Sequence, residues 1–409
     1  MISLVTDIKL SIRNLSRNIN RSLVAGLTVA GGIVAFLLAG GFINWIFHDM
    51  REATIHSQLG HIQVVRPGYF DKGISDPYSF LLPAASPELK LLEEIPEVAT
   101  VTPRLAFSGL ASRDEVTIPF IGEGIDPIRE RPISTRITIV EGRDLATLKD
   151  AEVILGEGLA RSLEAKLGDK IVLLATAANG SANAIELLVV GTFATIYKDY
   201  DDTALRVPIP FARKLMRVDG STSWVVLLNK TESTAKVIDL VSPKLPASAF
   251  QIIPWTQLAD FYNKTVALFS KQVDVMKLII GLIIVLTISN TQTMSVLERT
   301  TEIGTSLAIG LRNNDVLRLF LVEGLLIGII GGFIGVTLGY GLAEAISYIG
   351  IPMPPPPGMA RGFTGQILVN GALALDAMIL ALVTTLLASV MPAWRASRMN
   401  IVDALRCNQ

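Results

Sequence analysis

The chain has 409 residues, of which 18% are charged, a formal net charge of −1 and a mean hydropathy of +0.49. Soluble domains average about 25% charged residues, so this chain is depleted in charge, and its near-neutral balance excludes the basic footprint of a nucleic-acid-binding protein. The single cysteine, Cys407, excludes an internal disulfide and leaves the redox compartment open. Apolar residues are concentrated in long blocks, which is typical of a membrane protein.

Residues 1–21 have the pattern of an amphipathic helix. Apolar residues recur at spacings of three and four along one face. A basic stripe recurs every fourth residue beside that face: Lys9, Arg13, Arg17 and Arg21. The pattern predicts an interfacial helix in the headgroup layer of an anionic leaflet, with a soluble amphipathic helix as the alternative.

Residues 22–47 contain no charged residue and predict the first transmembrane helix. At about 1.5 Å per residue the segment is longer than the roughly 30 Å hydrocarbon core, and it lacks a cleavage box.

Residues 48–274 differ, because prolines, charges and short alternating segments replace the apolar block. Strands are predicted at 61–65, 98–107, 116–125, 151–155, 170–176, 184–195, 203–209, 223–228 and 250–255. Short helices are predicted at 87–95, 157–167, 210–218 and 234–244. We therefore expect a large α+β extracytoplasmic domain inserted between the first and second spans.

Further transmembrane helices are predicted at 275–297, 318–347 and 371–394. Between and after them lie a connector, a proline-rich loop and a C-terminal tail, at 298–317, 348–370 and 395–409. Basic residues cluster in the connector and at both termini, whereas the proline-rich loop contains only Arg361. By the positive-inside rule, both termini and the connector are predicted to be cytoplasmic, with the large domain on the opposite side.

The connector continues a helical pattern beyond the second span. A semi-apolar face lies opposite a charged face that contains Glu298, Arg299 and Glu302, and Gly310 is suited to ending the helix. A short helix between two spans suits a soluble partner that moves the membrane part, and a plain hairpin with solvated charges is the alternative. Glu323, at the start of the third span, is predicted to contact the connector rather than to relay protons.

Glycines in the third span recur every fourth residue along two overlapping ridges, which let helices approach closely. These helix-packing positions are Gly324, Gly328, Gly331, Gly332, Gly335 and Gly339. The ridges predict either a sliding or dimer seam, or static packing within the subunit.

No arrangement of side chains in the sequence supports catalysis, so no catalytic residue is predicted and the chain is not expected to be an enzyme. His48, His56 and His61 lack the further ligands that a metal site needs, so no metal is predicted.

The sequence contains no G-x-x-x-x-G-K-[ST] loop for nucleotide phosphates. Energy from nucleotide must then come from another polypeptide.

Three separated segments resemble the signature of one permease family. They are SVLERTTEIGTSLAIGLRNNDVLRLFLVEGLLIGIIGGFIGVTLG (295–339), the tail LASVMPAWRASRMNIVDALR (387–406), and GEGLARSLEAKLGDKIVLL (156–174) followed by VVGTFAT (189–195). Together they resemble the FtsX/MacB/LolC–LolE superfamily of ABC transporter permeases (type VII, mechanotransmission) over nearly the whole chain. The tail departs from the family at Trp394, where a basic or small residue is common, and at Ile401, where proline is usual.

The resemblance implies a permease that works as a dimer of membrane subunits, each docked on a cytoplasmic ABC ATPase. The connector would be the coupling helix, with contacts from Glu298, Arg299, Glu302, Ile303, Gly304 and Arg312. The chain itself would bind no cofactor, because ATP and Mg would bind to the ATPase. A chain that begins at the permease, without the fused ATPase of MacB, resembles the stand-alone LolC/LolE arrangement.

The resemblance also implies a bacterial inner-membrane protein that couples ATP hydrolysis to movement of its periplasmic domain. We expect export or extraction of a lipophilic or protein cargo, as in lipoprotein release or efflux. The second permease would be an identical copy or a paralogue. A periplasmic adaptor, a lipoprotein cargo and membrane lipids would be further partners, and nucleic acid would not. The alternative is an FtsX-like signalling scaffold that regulates a periplasmic enzyme without transport.

Overall fold

The computed structural model describes residues 4–17, 19–73, 76–354 and 362–399. The chain divides into two compact units. The helical unit comprises Met1–Phe47, Thr265–Pro352 and Thr364–Gln409, and the domain unit comprises His48–Lys264 and Met353–Phe363. Part of the predicted proline-rich loop, most of the predicted tail and Cys407 lie outside the described residues.

The described part of the helical unit contains six helices. In chain order they are the interfacial helix (Leu4–Arg17), span 1 (Ile19–Thr54), span 2 (Asp260–Glu298), the connector helix (Thr300–Ala308), span 3 (Asn313–Ile349) and span 4 (Gly371–Ser397). Four of these helices are long and apolar enough to cross a membrane, as predicted. Each is longer than its predicted span because the helix continues past the uncharged block.

Span 3 packs closely on spans 1 and 4 through its two glycine ridges. A methyl group on Gly335 would lie 2.8 Å from Cβ of Ile33 on span 1. A methyl group on Gly328 would lie 2.3 Å from Oγ1 of Thr385 on span 4. The remaining ridge positions divide in the same way, with Gly331 and Gly339 against span 1 and Gly324 and Gly332 against span 4. Both glycine ridges of span 3 therefore pack against other helices of the same subunit.

The domain unit is built on one ten-stranded sheet. Its strands are β1 (Ile62–Val65), β2 (Val98–Arg113), β3 (Val116–Ile125), β4 (Thr138–Gly142), β5 (Glu152–Gly156), β6 (Lys170–Thr176), β7 (Ala182–Ala194), β8 (Ala204–Pro208), β9 (Ser223–Leu228) and β10 (Gln251–Pro254). The strand order is β10-β1-β9-β2-β3-β8-β5-β7-β4, and β6 pairs with both β2 and β7. These last pairings close the strands β2-β3-β8-β5-β7-β6 into a ring. A separate two-stranded sheet consists of β11 (Ile351–Met353) and β12 (Phe363–Gly365).

Short helices lie in the connections between strands. They are α1 (Pro87–Glu93), α2 (Pro127–Glu130), α3 (Glu157–Ser162), α4 (Lys198–Asp201), α5 (Ile209–Met216), α6 (Thr234–Val241) and α7 (Trp255–Leu258). One hydrophobic cluster draws residues from every ring strand and from α3 and α5. A second cluster surrounds Trp224, where α1 and α6 pack on β1, β9 and the start of β2. The two largest hydrophobic clusters of the domain unit therefore share one continuous sheet.

Every segment predicted as a strand forms part of a strand, and the α+β fold class is confirmed. The sequence misses β4 (Thr138–Gly142). This strand lies at the edge of the sheet and pairs with β7 alone. Its register shifts between Ile139 and Glu141, and all of its residues are exposed or half-buried. An edge strand of this kind lacks the alternation of buried and exposed residues on which strand prediction rests.

His61, just before β1, is a buried neutral histidine and is only 1% exposed. Its Nδ1 accepts the backbone N–H of Leu228 at 3.0 Å, which leaves Nε2–H to donate to Oγ1 of Thr231 at 3.0 Å. Burial, assisted by the neighbouring His56, lowers the pKa of His61 to about 4. Protonating Nδ1 would place two N–H donors against each other, so the fold requires the neutral ring.

We predict that His61 makes the chain less stable as the pH falls from about 6.5 to about 4. The unfolded imidazole takes up a proton near pH 6.5, whereas the folded ring does so only near pH 4. The contribution of the neutral ring is therefore complete above pH 6.5 and is lost as the pH falls towards the folded pKa, by about 3 kcal/mol in all. The thermal midpoint of the detergent-solubilised chain should fall more steeply with pH than that of His61→Gln. Equal slopes would contradict the prediction.

A second prediction concerns the closure of the ring at Gly109 on β2. A Cβ atom there would lie 2.1 Å from the carbonyl oxygen of Leu174 on β6. Gly109→Ala should force β6 away from β2 and lower the free energy of unfolding by about 1–3 kcal/mol. Gly31→Ala is the control, because an added methyl group at Gly31 meets nothing within 4 Å. Thermal midpoints that are the same for the two variants would show that the ring tolerates a side chain at this contact.

Candidate functional site

The connector helix has a defined geometry at both ends. At its start, Arg299 (φ −99°, ψ 13°) interrupts the helix that continues from span 2. At its end, Gly310 has φ +109°. The N–H of Gly310 bonds to the carbonyl of Leu307 at 3.1 Å, and the N–H of Leu311 bonds to that of Ser306 at 3.1 Å. These bonds satisfy the last carbonyls of the helix and define the turn into span 3.

The inner face of the connector helix packs on spans 2, 3 and 4. Ile303 and Leu307 are 6% and 7% exposed, and Gly304 between them is also buried. They belong to an apolar cluster whose other buried members are Val296, Val316, Phe320, Ala393 and Ala396. The connector is therefore fixed on the helical unit along one whole face.

Arg299 also points inward and contacts span 3. Its guanidinium lies 3.6 Å from Oε2 of Glu323 and 5.7 Å from the centre of the Phe320 ring. Arg299 is 9% exposed and Glu323 is 7% exposed. The predicted contact between Glu323 and the connector is confirmed, and Arg299 is the residue that makes it.

Glu298 and Glu302 are paired with two residues of the predicted basic stripe, Arg17 at the end of the interfacial helix and Arg21 in the first turn of span 1. Nη2 of Arg17 donates to both carboxylate oxygens of Glu302, at 2.5 and 2.7 Å. Arg21 makes a two-pronged ion pair with Glu298. The hydrogen bond from Arg17 holds the pKa of the Glu302 carboxyl below its usual range. These two arginines therefore contact the connector, while Lys9 and Arg13 are exposed.

The interfacial helix also contacts the start of span 3. Nε of Arg318 lies 2.5 Å from Oδ2 of the buried Asp7, and Oγ of Ser11 donates to the carbonyl of Leu319 at 3.4 Å. The helix therefore contacts both arms of the turn that the connector makes. It is a structural part of the site as well as a candidate membrane-surface element.

The outer edge of the connector comprises Thr305, Ala308, Ile309 and Arg312, which are all exposed. Ile309 is 84% exposed. Among the residues predicted to contact an ATPase, three are exposed and three lie on the inner face. The exposed ones are Glu298, Glu302 and Arg312, and the inner ones are Arg299, Ile303 and Gly304.

The pairing of Glu298 and Glu302 with Arg21 and Arg17 was not predicted from the sequence. Arg17 and Arg21 are four residues apart, as are Glu298 and Glu302, and this matching spacing of opposite charges was a signal in the sequence. In the structure each set crosses a helix break: Arg17 ends the interfacial helix and Arg21 lies in span 1, while Glu298 ends span 2 and Glu302 lies in the connector helix. The two ion pairs therefore join the two breaks.

Two family models match the chain in adjoining regions. The MacB-like periplasmic core domain matches residues 22–244. The FtsX-like permease C-terminal region matches residues 275–401. The first covers span 1 and most of the domain unit, and the second covers the connector and spans 2 to 4.

Named relatives agree with the family models. The chain is 27% identical to the lipoprotein-releasing system transmembrane protein LolC of Xylella fastidiosa, over 76% of this chain and 78% of that protein. It is 26% identical to the macrolide export ATP-binding/permease protein MacB of Rhodospirillum rubrum, over 97% of this chain and 60% of that protein. It is 28% identical to an uncharacterized ABC transporter permease of Methanocaldococcus jannaschii, over 66% of this chain and 65% of that protein.

We predict a small but measurable coupling between Arg17 and Glu302. Both side chains are about half exposed, so a double-mutant cycle of Arg17→Ala and Glu302→Ala should show the small favourable coupling that is typical of exposed ion pairs. The coupling should decrease in about 1 M salt, where the Debye length falls to about 3 Å. Because the pKa of Glu302 is depressed, the contribution is present above its ordinary pKa of 4.5 and is lost as the pH falls through the folded value.

The control for this cycle pairs Arg13→Ala with Glu302→Ala. Among the described contacts of Glu302, the partners are Arg17 and Arg299 and not Arg13. The control effects on the thermal midpoint should therefore be additive. Additive effects in the Arg17 cycle as well would show that the pair contributes nothing.

Proposed function

We infer the function of this chain from its family, because it belongs to the ABC transporter permeases that join a MacB-like periplasmic core domain to an FtsX-like permease region. The four apolar helices and the periplasmic-type domain fit an inner-membrane permease. We propose that a separate ABC ATPase docks on the connector and that ATP hydrolysis moves the periplasmic core domain. ATP and Mg would bind to that ATPase, and this chain would transmit the motion.

The observation that supports this proposal most directly is the difference between the two faces of the connector helix. The inner face is fixed on spans 2, 3 and 4, whereas the outer edge presents Ile309 at 84% exposure. A displacement of the outer edge would therefore be passed to the spans. In this proposal the outer edge, Glu298 and Glu302 contact the ATPase, while Arg299, Ile303 and Gly304 position the helix.

We propose that the connector side of the helical unit faces the cytoplasm. The interfacial helix contacts the connector, and its Lys9 and Arg13 are exposed on that side with Arg312. Positive charges on short membrane-flanking segments favour the cytoplasmic side. Both described terminal helices, the interfacial helix and the end of span 4, then lie at the cytoplasmic surface.

We propose that the cargo is a lipophilic molecule or a protein. The name of one relative refers to the release of lipoproteins, and the name of another refers to the export of macrolides. Both kinds of cargo carry large apolar parts that favour a membrane. A second permease subunit, identical or paralogous, would complete the transporter.

We predict that Ile309→Glu weakens the complex with the ATPase at least about tenfold. A carboxylate in an apolar contact costs more than about 1.4 kcal/mol, which is the free energy of a tenfold change in Kd. The measurement is the affinity of the purified ATPase for the chain in nanodiscs, together with the ATP turnover of the complex. Ile349→Glu is the matched control, because Ile349 is 82% exposed at the other end of span 3.

Equal affinities for the two variants would contradict docking on the outer edge. Transport is tested separately, by following release of labelled lipoprotein or efflux of a lipophilic dye by the complex. A complex that hydrolyses ATP without moving either cargo, but activates a bound periplasmic enzyme, would favour the signalling alternative.

A further inference from the structure

Span 1 ends inside the domain unit, and its last turn is capped by charged side chains. The helix Ile19–Thr54 continues as a π turn, Ile55–Leu59, and stops at Gly60, where φ is +61°. The N–H of Gly60 bonds to the carbonyl of Ile55 at 3.0 Å. The last carbonyls of a helix lack partners within the helix and carry partial negative charge.

Two buried arginines of the ring supply those partners. Nη2 of Arg206 on β8 donates to the carbonyl of Ser57 at 3.0 Å. Nη1 of Arg104 on β2 donates to the carbonyl of Gln58. Arg206 is 1% exposed and Arg104 is 5% exposed. Two cations thus lie at the helix C-terminus, where the helix dipole favours them.

Two carboxylates hold the arginines in this position. Glu130 makes a two-pronged ion pair with Arg104, and Glu123 accepts from Nε of Arg206 at 3.1 Å. Oγ of Ser134 links the two pairs, because it accepts from Nη1 of Arg206 at 2.9 Å and donates to Glu130 at 3.3 Å. Although burial raises the pKa of Glu123, the two arginines hold it below its usual range. We call Arg104, Arg206, Glu123 and Glu130 the arginine clamp.

The start of span 2 is held in a different way. Tyr262 of span 2, together with Trp255 of α7 and Ala259 just before the span, packs in an apolar cluster with Ile55 and Leu59 of the π turn that follows span 1. Tyr197 bridges the two helices, because its hydroxyl bonds to Oγ1 of Thr54 at 2.9 Å and its ring packs edge-on against Phe261 at 5.7 Å. Apolar packing is not directional, whereas the bonds of the clamp have fixed geometry.

We propose that the arginine clamp makes the ring follow the end of span 1, so that motion of this helix becomes motion of the periplasmic core domain. Buried charges are stable only when all partners are present, so the clamp has one well-defined arrangement. The apolar contacts of span 2 allow that helix to shift relative to the ring. Arg104 and Arg206 are thus positioning residues, and the inference rests on the proposed function.

The test removes one buried pair of the clamp without leaving a lone charge. In Glu123→Met/Arg206→Met, the carbonyl of Ser57 loses its partner while the volume of the side chains is roughly kept. Arg206→Lys is a second variant, which keeps the buried charge but loses the planar fork of donors. The control is Arg143→Met/Glu152→Met, which removes an ion pair of the same domain unit that does not contact the helix end.

Two measurements are made on the full chain in nanodiscs with its ATPase. The first is hydrogen exchange of residues 55–60, which should become at least about tenfold faster in both clamp variants and stay within about twofold in the control. The second is the distance between spin labels at Glu115→Cys, in the exposed turn after β2, and Tyr348→Cys, in a Cys407→Ser background. Tyr348 is 94% exposed. Binding of an ATP analogue should shift this distance in the wild type and the control, and should not shift it in the clamp variants.

The outcomes separate the clamp from the proposed function. If clamp variants assemble with the ATPase and show the same ATP-dependent shift in the spin-label distance as the wild type, the proposed role of the clamp is wrong. The proposed function is then unaffected. A wild type without any ATP-dependent shift would overturn the proposed function, and with it the role of the clamp in transmission. Unchanged exchange at residues 55–60 in both clamp variants would overturn the capping of span 1 whatever the spin labels show.

Discussion

Arg299 and Glu323 lie 3.6 Å apart at the bend between span 2 and the connector helix, and both are buried. Loss of one partner of a buried pair costs about 3–5 kcal/mol, and Arg299 also lies 3.4 Å from Oε2 of Glu302. The pair lies where the helix breaks after span 2 and joins this bend to span 3. Ile303 and Leu307 pack on the spans from the following turns of the connector helix, so the pair and this apolar packing together hold the outer edge in place.

The domain unit uses the same physical principle at the far end of span 1. Arg104 and Arg206 are buried among carboxylates and helix carbonyls, and the ring strands that carry them are closed through β6. Strands in a closed ring slide past one another less easily than strands in an open sheet. The reason is that every strand of the ring pairs with a neighbour on both of its sides. In the proposed mechanism, a rigid ring with directional bonds to a helix end would carry a small displacement of that helix to the whole domain.

Local patterns predict the elements of this fold, and longer-range contacts decide the site. Uncharged blocks form the spans and alternating segments form the strands, because in each case the local sequence pattern shows which residues are removed from water. The closure of the ring through Leu110 and Leu174 joins strands far apart in sequence, so no local pattern contains it. Arg299 and Arg206 lie inside although charged residues usually face solvent, because their partners belong to other elements. The direction of a charged side chain can therefore be assigned only after its partner is known.

The contacts of the connector differ in strength according to their burial. The exposed pairs of Glu298 with Arg21 and of Glu302 with Arg17 contribute little to stability, because water screens both charges. A protein that binds the outer edge can displace those arginines at small cost, since water screens the charges that are left. The buried contact between Arg299 and Glu323 cannot be exchanged in this way. The connector thus has one face that is free to change partners and one that stays attached to the spans, which is the arrangement that passing a displacement from a soluble protein into a membrane requires.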